Sequence, residues 1–139
     1  MHRILVVANE TLEGAHLLEE VSHRIDAAGG PDNCAVHLVV PASHGRGSWT
    51  EGGAKAEAQF RLDDAIVSFK ELGAEVTGEV GDPSPVLAVT DAMIVQHHDE
   101  IVFSTLPRHA SRWLKQDPIS RLQRNYPSVP VTHVTAGSF

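Results

Sequence analysis

Apolar positions along this chain recur with two different periods. Five short runs rich in β-branched residues and bounded by turn formers predict strands over Arg3 to Ala8, Ala35 to Val40, Ala74 to Val80, Glu100 to Ser104 and Pro130 to Thr135. The first, second and fourth are almost continuously apolar, as expected for strands covered on both faces. Helical spacing fills the intervals. From about Thr11 to Ala28, the residues Leu17, Leu18, Val21, Ile25 and Ala28 make one stripe, which Gly29-Gly30-Pro31 ends. From about Ala54 to Leu72, the residues Ala58, Leu62, Ala65, Ile66 and Phe69 make another, stopped by Gly73.

Two shorter helices follow from turn chemistry. In Gly81-Asp82-Pro83-Ser84-Pro85, a side chain that can accept a backbone N–H precedes a proline with preset φ, and Val86, Val89 and Met93 then face inward. Asp117 with Pro118 starts the last helix, which buries Ile119 and Leu122 before Tyr126-Pro127 breaks it. The segment His44 to Gly53 reads as a loop after the second strand. Strands and helices therefore alternate through one expected domain, residues 1 to 139. That alternation predicts an α/β fold with a mainly parallel five-stranded sheet and helices on both faces.

Composition adds limits to this picture. Hydrophobic residues are 42% and charged residues 21% of the 139, the balance of an ordinary globular chain. No run approaches the ~18 uninterrupted apolar residues of a membrane span, and Met1 leads directly into a strand without a signal-peptide pattern. Cytoplasmic residence is the resulting expectation. The single cysteine, Cys34, has no intramolecular disulfide partner and reads as a small buried side chain.

The formal net charge of −7 disfavours broad contact with nucleic acid or an anionic membrane. Its distribution is uneven. From Arg108 to Arg124 there are five basic residues and one acid, Asp117, which leaves six basic and seventeen acidic residues elsewhere out of totals of 11 and 18.

The tail carries most of the family information. It reads DEIVFST, then LPRHASRWLKQDPISRLQRNYPS, then VPVTHVTAGSF, as strand, loop, helix and strand. With ILVVANET at the start and GEVGDPSPVLAV in the middle, the whole chain resembles the universal stress protein superfamily. The resemblance implies a Rossmann-like sheet in the order 3-2-1-4-5. It also implies a homodimer in which the last strands of two subunits meet, here through Val131, His133 and Val134.

In nucleotide-binding members of that superfamily, strand one ends in an acidic residue near the adenosine. Strand four then leads into a G-x-x-G loop, followed some nine residues later by glycine and a hydroxyl residue. Here Asn9 takes the acidic position, Ser104 and Pro107 fall where the paired glycines would be, and Asp117-Pro118 lies near the final pair. Glycine lets several backbone N–H groups converge on a phosphate. Pro107 removes one of those groups, and Asp117 adds negative charge. These substitutions argue against a conventional ATP site and imply no cofactor.

An open α/β sheet places its ligand crevice at the carboxyl ends of the strands where their order reverses, between strands one and four. The candidate residues there are Asn9, Pro41, Ser104, Thr105, Arg108, Ser111 and Arg112. Side-chain donors from the last three, with His109 and Lys115, can replace lost backbone donors toward a phosphate or carboxylate. The competing reading is a solvated basic face.

Other patterns carry less. His16, Glu20 and His23 share a helix face, but without an HExxH motif or cysteine partners they read as a polar surface, and no metal site is assigned. His97-His98 reads as a helix cap or an exposed turn. The glycines of the 44–53 loop match no phosphate-loop spacing, and Trp49 and Trp113 are apolar groups in polar loops. No nucleophile elbow is present. The sequence therefore favours a homodimeric binding or regulatory module without strong catalysis, in which any small-molecule ligand is expected to be anionic. The alternatives are a ligand-free dimeric interaction protein, with the crevice closed by Leu106, Pro107 and Trp113, and a nucleotide-hydrolysing enzyme.

Overall fold

The fold is given by a computed structural model, which describes residues 1–12, 14–42, 51–107, 114 and 117–135. Five parallel strands run β1 (His2–Val7), β2 (Cys34–Pro41), β3 (Glu75–Gly81), β4 (Glu100–Thr105) and β5 (Val131–Thr135). They are joined through α1 (Ala15–Ala27), α2 (Glu51–Lys70), α3 (Pro85–Val95) and α4 (Pro118–Asn125), and the sheet order is β3-β2-β1-β4-β5. The expected α/β architecture and strand order are both present.

Side-chain alternation divides the core into two layers. Ile4, Val6, Val36, Leu38 and Val102 point toward α1 and α2, where they meet Leu17, Val21, Ile25, Leu62 and Phe69. Leu5, Val7, Val39, Ile101 and Phe103 point the other way, onto Val86, Val89 and Leu122 of α3 and α4. β1 and β4 lie inside the sheet, which explains their uninterrupted apolar runs. β3 is an edge strand, and its Glu75 and Thr77 are exposed.

Several boundaries depart from the periodicity. Thr11 and Leu12 lie in a turn rather than in the first turn of α1, and Leu12 N and Gly14 N bond to Asn9 O and Thr11 O. Glu51, Gly52 and Gly53 open α2 instead of ending the preceding loop. Gly52 has nothing within 4 Å of its Cβ position, so packing does not require glycine there. Residues 43–50, including Trp49, lie outside the described residues. At Gly81 the chain does need glycine: a Cβ would meet Ala88 Cβ at 2.9 Å, because α3 packs directly on the end of β3.

Among the described residues, no helix is long and apolar enough to cross a membrane.

Candidate functional site

The carboxyl ends of β1 and β4 lie side by side, and the residues at or just beyond them are polar yet buried: Asn9 and Thr11 after β1, Ser104 and Thr105 at the end of β4. Buried polar groups are costly unless paired, and each of these is. Asn9 Nδ2 donates to Pro41 O at 2.8 Å, joining the end of β1 to the end of β2. Thr11 and Ser104 share a hydroxyl–hydroxyl bond of 2.6 Å across the crevice. Thr105 Oγ1 bonds His133 Nε2 at 2.8 Å, tying β4 to β5.

The other end of the Asn9 amide identifies a residue that sequence reasoning missed. Asn9 Oδ1 accepts a hydrogen bond from Arg61 Nη1, which reaches the crevice from the middle of α2. Arg61 is half-buried and forms no ion pair among the described residues. A guanidinium carries five N–H donors, and one is used on Asn9. Nothing in the spacing signals this, since Arg61 is one polar position on an amphipathic helix, 52 residues from its partner.

Of the residues expected at the site, Asn9, Pro41, Ser104 and Thr105 are brought together. Arg108, Ser111 and Arg112 lie outside the described residues, as do His109, Trp113 and Lys115. Arg121 and Arg124, from the same basic segment, are exposed on α4. Asp117 occupies the left-handed region, at φ 50° and ψ 56°, and is the only described non-glycine residue with positive φ. Asp117 therefore holds a backbone that favours glycine while carrying an acid. Its carboxylate caps α4 by accepting from Ser120 N at 3.4 Å.

His133 is exposed on β5, and Val131 and Val134 are half-buried there. β5 ends the sheet, and among the described residues no strand pairs with its outer edge.

The remaining candidates resolve as follows. Glu20 lies 3.7 Å from Arg24, and His16 and His23 are exposed; among the described residues no three His, Cys, Asp or Glu side chains converge as a metal set. Cys34 is buried, and burial, reinforced by Glu100, raises its thiol pKa, which disfavours the reactive thiolate. His98 corrects the exposed-turn expectation. It is 4% exposed and stacks on His37, and its Nδ1 has no hydrogen-bond partner.

The arrangement of elements matches solved structures closely. A protein of the universal stress protein family from Burkholderia pseudomallei is 17% identical, with 95% of this chain and 94% of that one covered and a TM-score of 0.62. A universal stress protein from Archaeoglobus fulgidus is 16% identical over 96% and 93% of the chains, with a TM-score of 0.64. The chain has the universal stress protein fold. A universal stress protein family protein from Arabidopsis thaliana, solved with AMP bound, is 15% identical over 99% and 94%, with a TM-score of 0.62. No protein-family model matches the sequence, and neither does any curated protein. At these identities the universal stress protein fold is carried by the layered core and strand order rather than by matched residues.

Proposed function

We propose that this chain is a universal stress protein-like binding module that holds a small anion in the crevice between β1 and β4, and that it does not bind ATP through a glycine loop. The observation that carries this reading is Arg61. The hydroxyls and the amide of the crevice floor already have internal partners, whereas the guanidinium held by Asn9 keeps donors to spare and meets no carboxylate among the described residues. Its planar fork suits the two oxygens of a phosphate or carboxylate. Arg108, Ser111 and Arg112 are proposed to contribute further donors to the same anion.

Two substitutions oppose conventional ATP binding. Pro107 offers no N–H, and the Asp117 carboxylate sits beside the helix start that glycine-loop members use for phosphate. The AMP in the Arabidopsis neighbour makes a mononucleotide the natural first ligand to try.

The module is further proposed to form a homodimer along β5, through Val131, His133 and Val134. An uncovered parallel edge strand is a template for pairing with another chain.

A thermal-shift series tests the ligand reading. At least one of phosphate and AMP at millimolar concentration should raise the melting temperature of the wild type, as mass action requires of any ligand that binds only the folded state, and Arg61→Ala should abolish the rise. An unmoved wild type sinks the proposal.

A further inference from the structure

At the end of the sheet away from the crevice, on the face covered by α3 and α4, three strands begin with a row of unlike residues. Arg3 is in register with Ala35, and Ala35 with Glu75. Adjacent strands lie about 4.8 Å apart, so Arg3 and Glu75 stand roughly 10 Å apart across a residue with only a methyl side chain. Their opposite charges are not joined. Neither side chain makes an ion pair among the described residues.

A cleft of about 200 Å³ opens over this row, lined by Ala35 and by Ala92 of α3 among others. His37 and Glu79 stand in the next rows and occupy each other: His37 Nε2 lies 2.8 Å from Glu79 Oε2, and its Nδ1 lies 2.7 Å from Thr77 Oγ1. His98 completes the wall, and its Nδ1 is buried without a partner. Burial, helped by the nearby charges of His37, Arg3 and His97 and opposed by Asp99, pushes the His98 pKa down to about 4. At neutral pH it is therefore an uncharged imidazole with one N–H and one lone pair.

We propose that this cleft binds a small zwitterion of amino-acid size, with the ligand carboxylate on Arg3 and its ammonium facing Glu75. A simple anion would meet the Glu75 carboxylate, and a simple cation would meet Arg3. A molecule carrying both charges at its ends satisfies each wall, and a short aliphatic spacer suits the methyl side chain of Ala35. This site is separate from the crevice and does not depend on the anion reading.

The test is an amide-resolved NMR titration of the full chain with γ-aminobutyrate and glycine, beside acetate and methylammonium. At least one zwitterion should shift Ala35, His37, Glu75, Thr77 and His98 saturably, with acetate and methylammonium at least about tenfold weaker. Arg3→Gln and Glu75→Gln should each weaken binding about tenfold, while Arg61→Ala should leave it unchanged. Both glutamine variants alter side chains at the cleft mouth, and their unperturbed resonances elsewhere report that the fold is kept. Absence of saturable shifts at these residues, an equal response to acetate, or wild-type affinity in both glutamine variants overturns the proposal. Shifts confined to Asn9, Arg61 and Thr105 overturn it as well.

Discussion

His98 stacks on His37 with ring centroids 5.7 Å apart and planes 18° from parallel. The pair joins the turn after α3 to β2, and His37 is in turn held by Thr77 and Glu79 on β3. Two protonated imidazoles at this distance would repel, and a buried one would also lose its hydration. The neutral form of His98 is favoured on both counts.

Stability should therefore depend on pH in a defined window. The folded pKa of about 4 lies below the usual 6.5, so between those values the unfolded chain binds more protons. Stability attributable to His98 is complete above about pH 6.5, falls as pH drops toward about 4, and changes little below that. The loss should be on the order of 1 to 3 kcal/mol. Urea denaturation at pH 7, 5.5 and 4 checks this, because His98→Gln should show a smaller loss than the wild type. Equal slopes for the two proteins would refute it.

Asn9 links the ends of β1 and β2 with α2. Asn9→Ala leaves Pro41 O without its amide donor and releases Arg61, so the variant should lose about 1 to 3 kcal/mol. A denaturation midpoint within error of the wild type would mean that the bonds are compensated by water.

Most of the fold was legible in the sequence because burial on both sheet faces leaves continuous apolar runs, as in Ile4 to Ala8 and Ile101 to Phe103. Boundaries were less legible where backbone bonding decides them, as at Thr11 and Leu12. The crevice position followed from topology, which brings Asn9, Ser104 and Thr105 together whatever their chemistry. Arg61 and His98 were not readable. A polar position on a helix gives no sign of what it reaches, and the dipeptide His97-His98 does not reveal that one ring turns outward and the other inward.

The close approach of α3 to β3 makes Gly81 intolerant of a side chain. Gly81→Ala places a methyl 2.9 Å from Ala88 Cβ and 3.2 Å from Val39 Cγ1, and Ala88 has no rotamer by which to withdraw. A loss of about 1 to 3 kcal/mol is expected in denaturant titrations. A neutral effect would show that α3 shifts freely on the sheet.

Asp117 combines a backbone that favours glycine with a capping carboxylate, and two substitutions separate the terms. Asp117→Gly relieves the left-handed conformation but loses the bond from Ser120 N, effects of about 1 kcal/mol each in opposite directions, so its stability should stay within about 1 kcal/mol of the wild type. Asp117→Ala loses the cap without relief and should be the less stable of the two. The reverse order, measured by thermal unfolding, would contradict the assigned strain.

The anion held by Arg61 is the central functional claim, and calorimetric titration with phosphate, AMP, ADP and ATP measures it most directly. Saturable heat is expected for at least one of these, weakening as salt is raised and disappearing in Arg61→Ala. Contradiction would come from a wild type that gives no heat with any of the four at millimolar concentration, or from an Arg61→Ala variant that binds as tightly as the wild type.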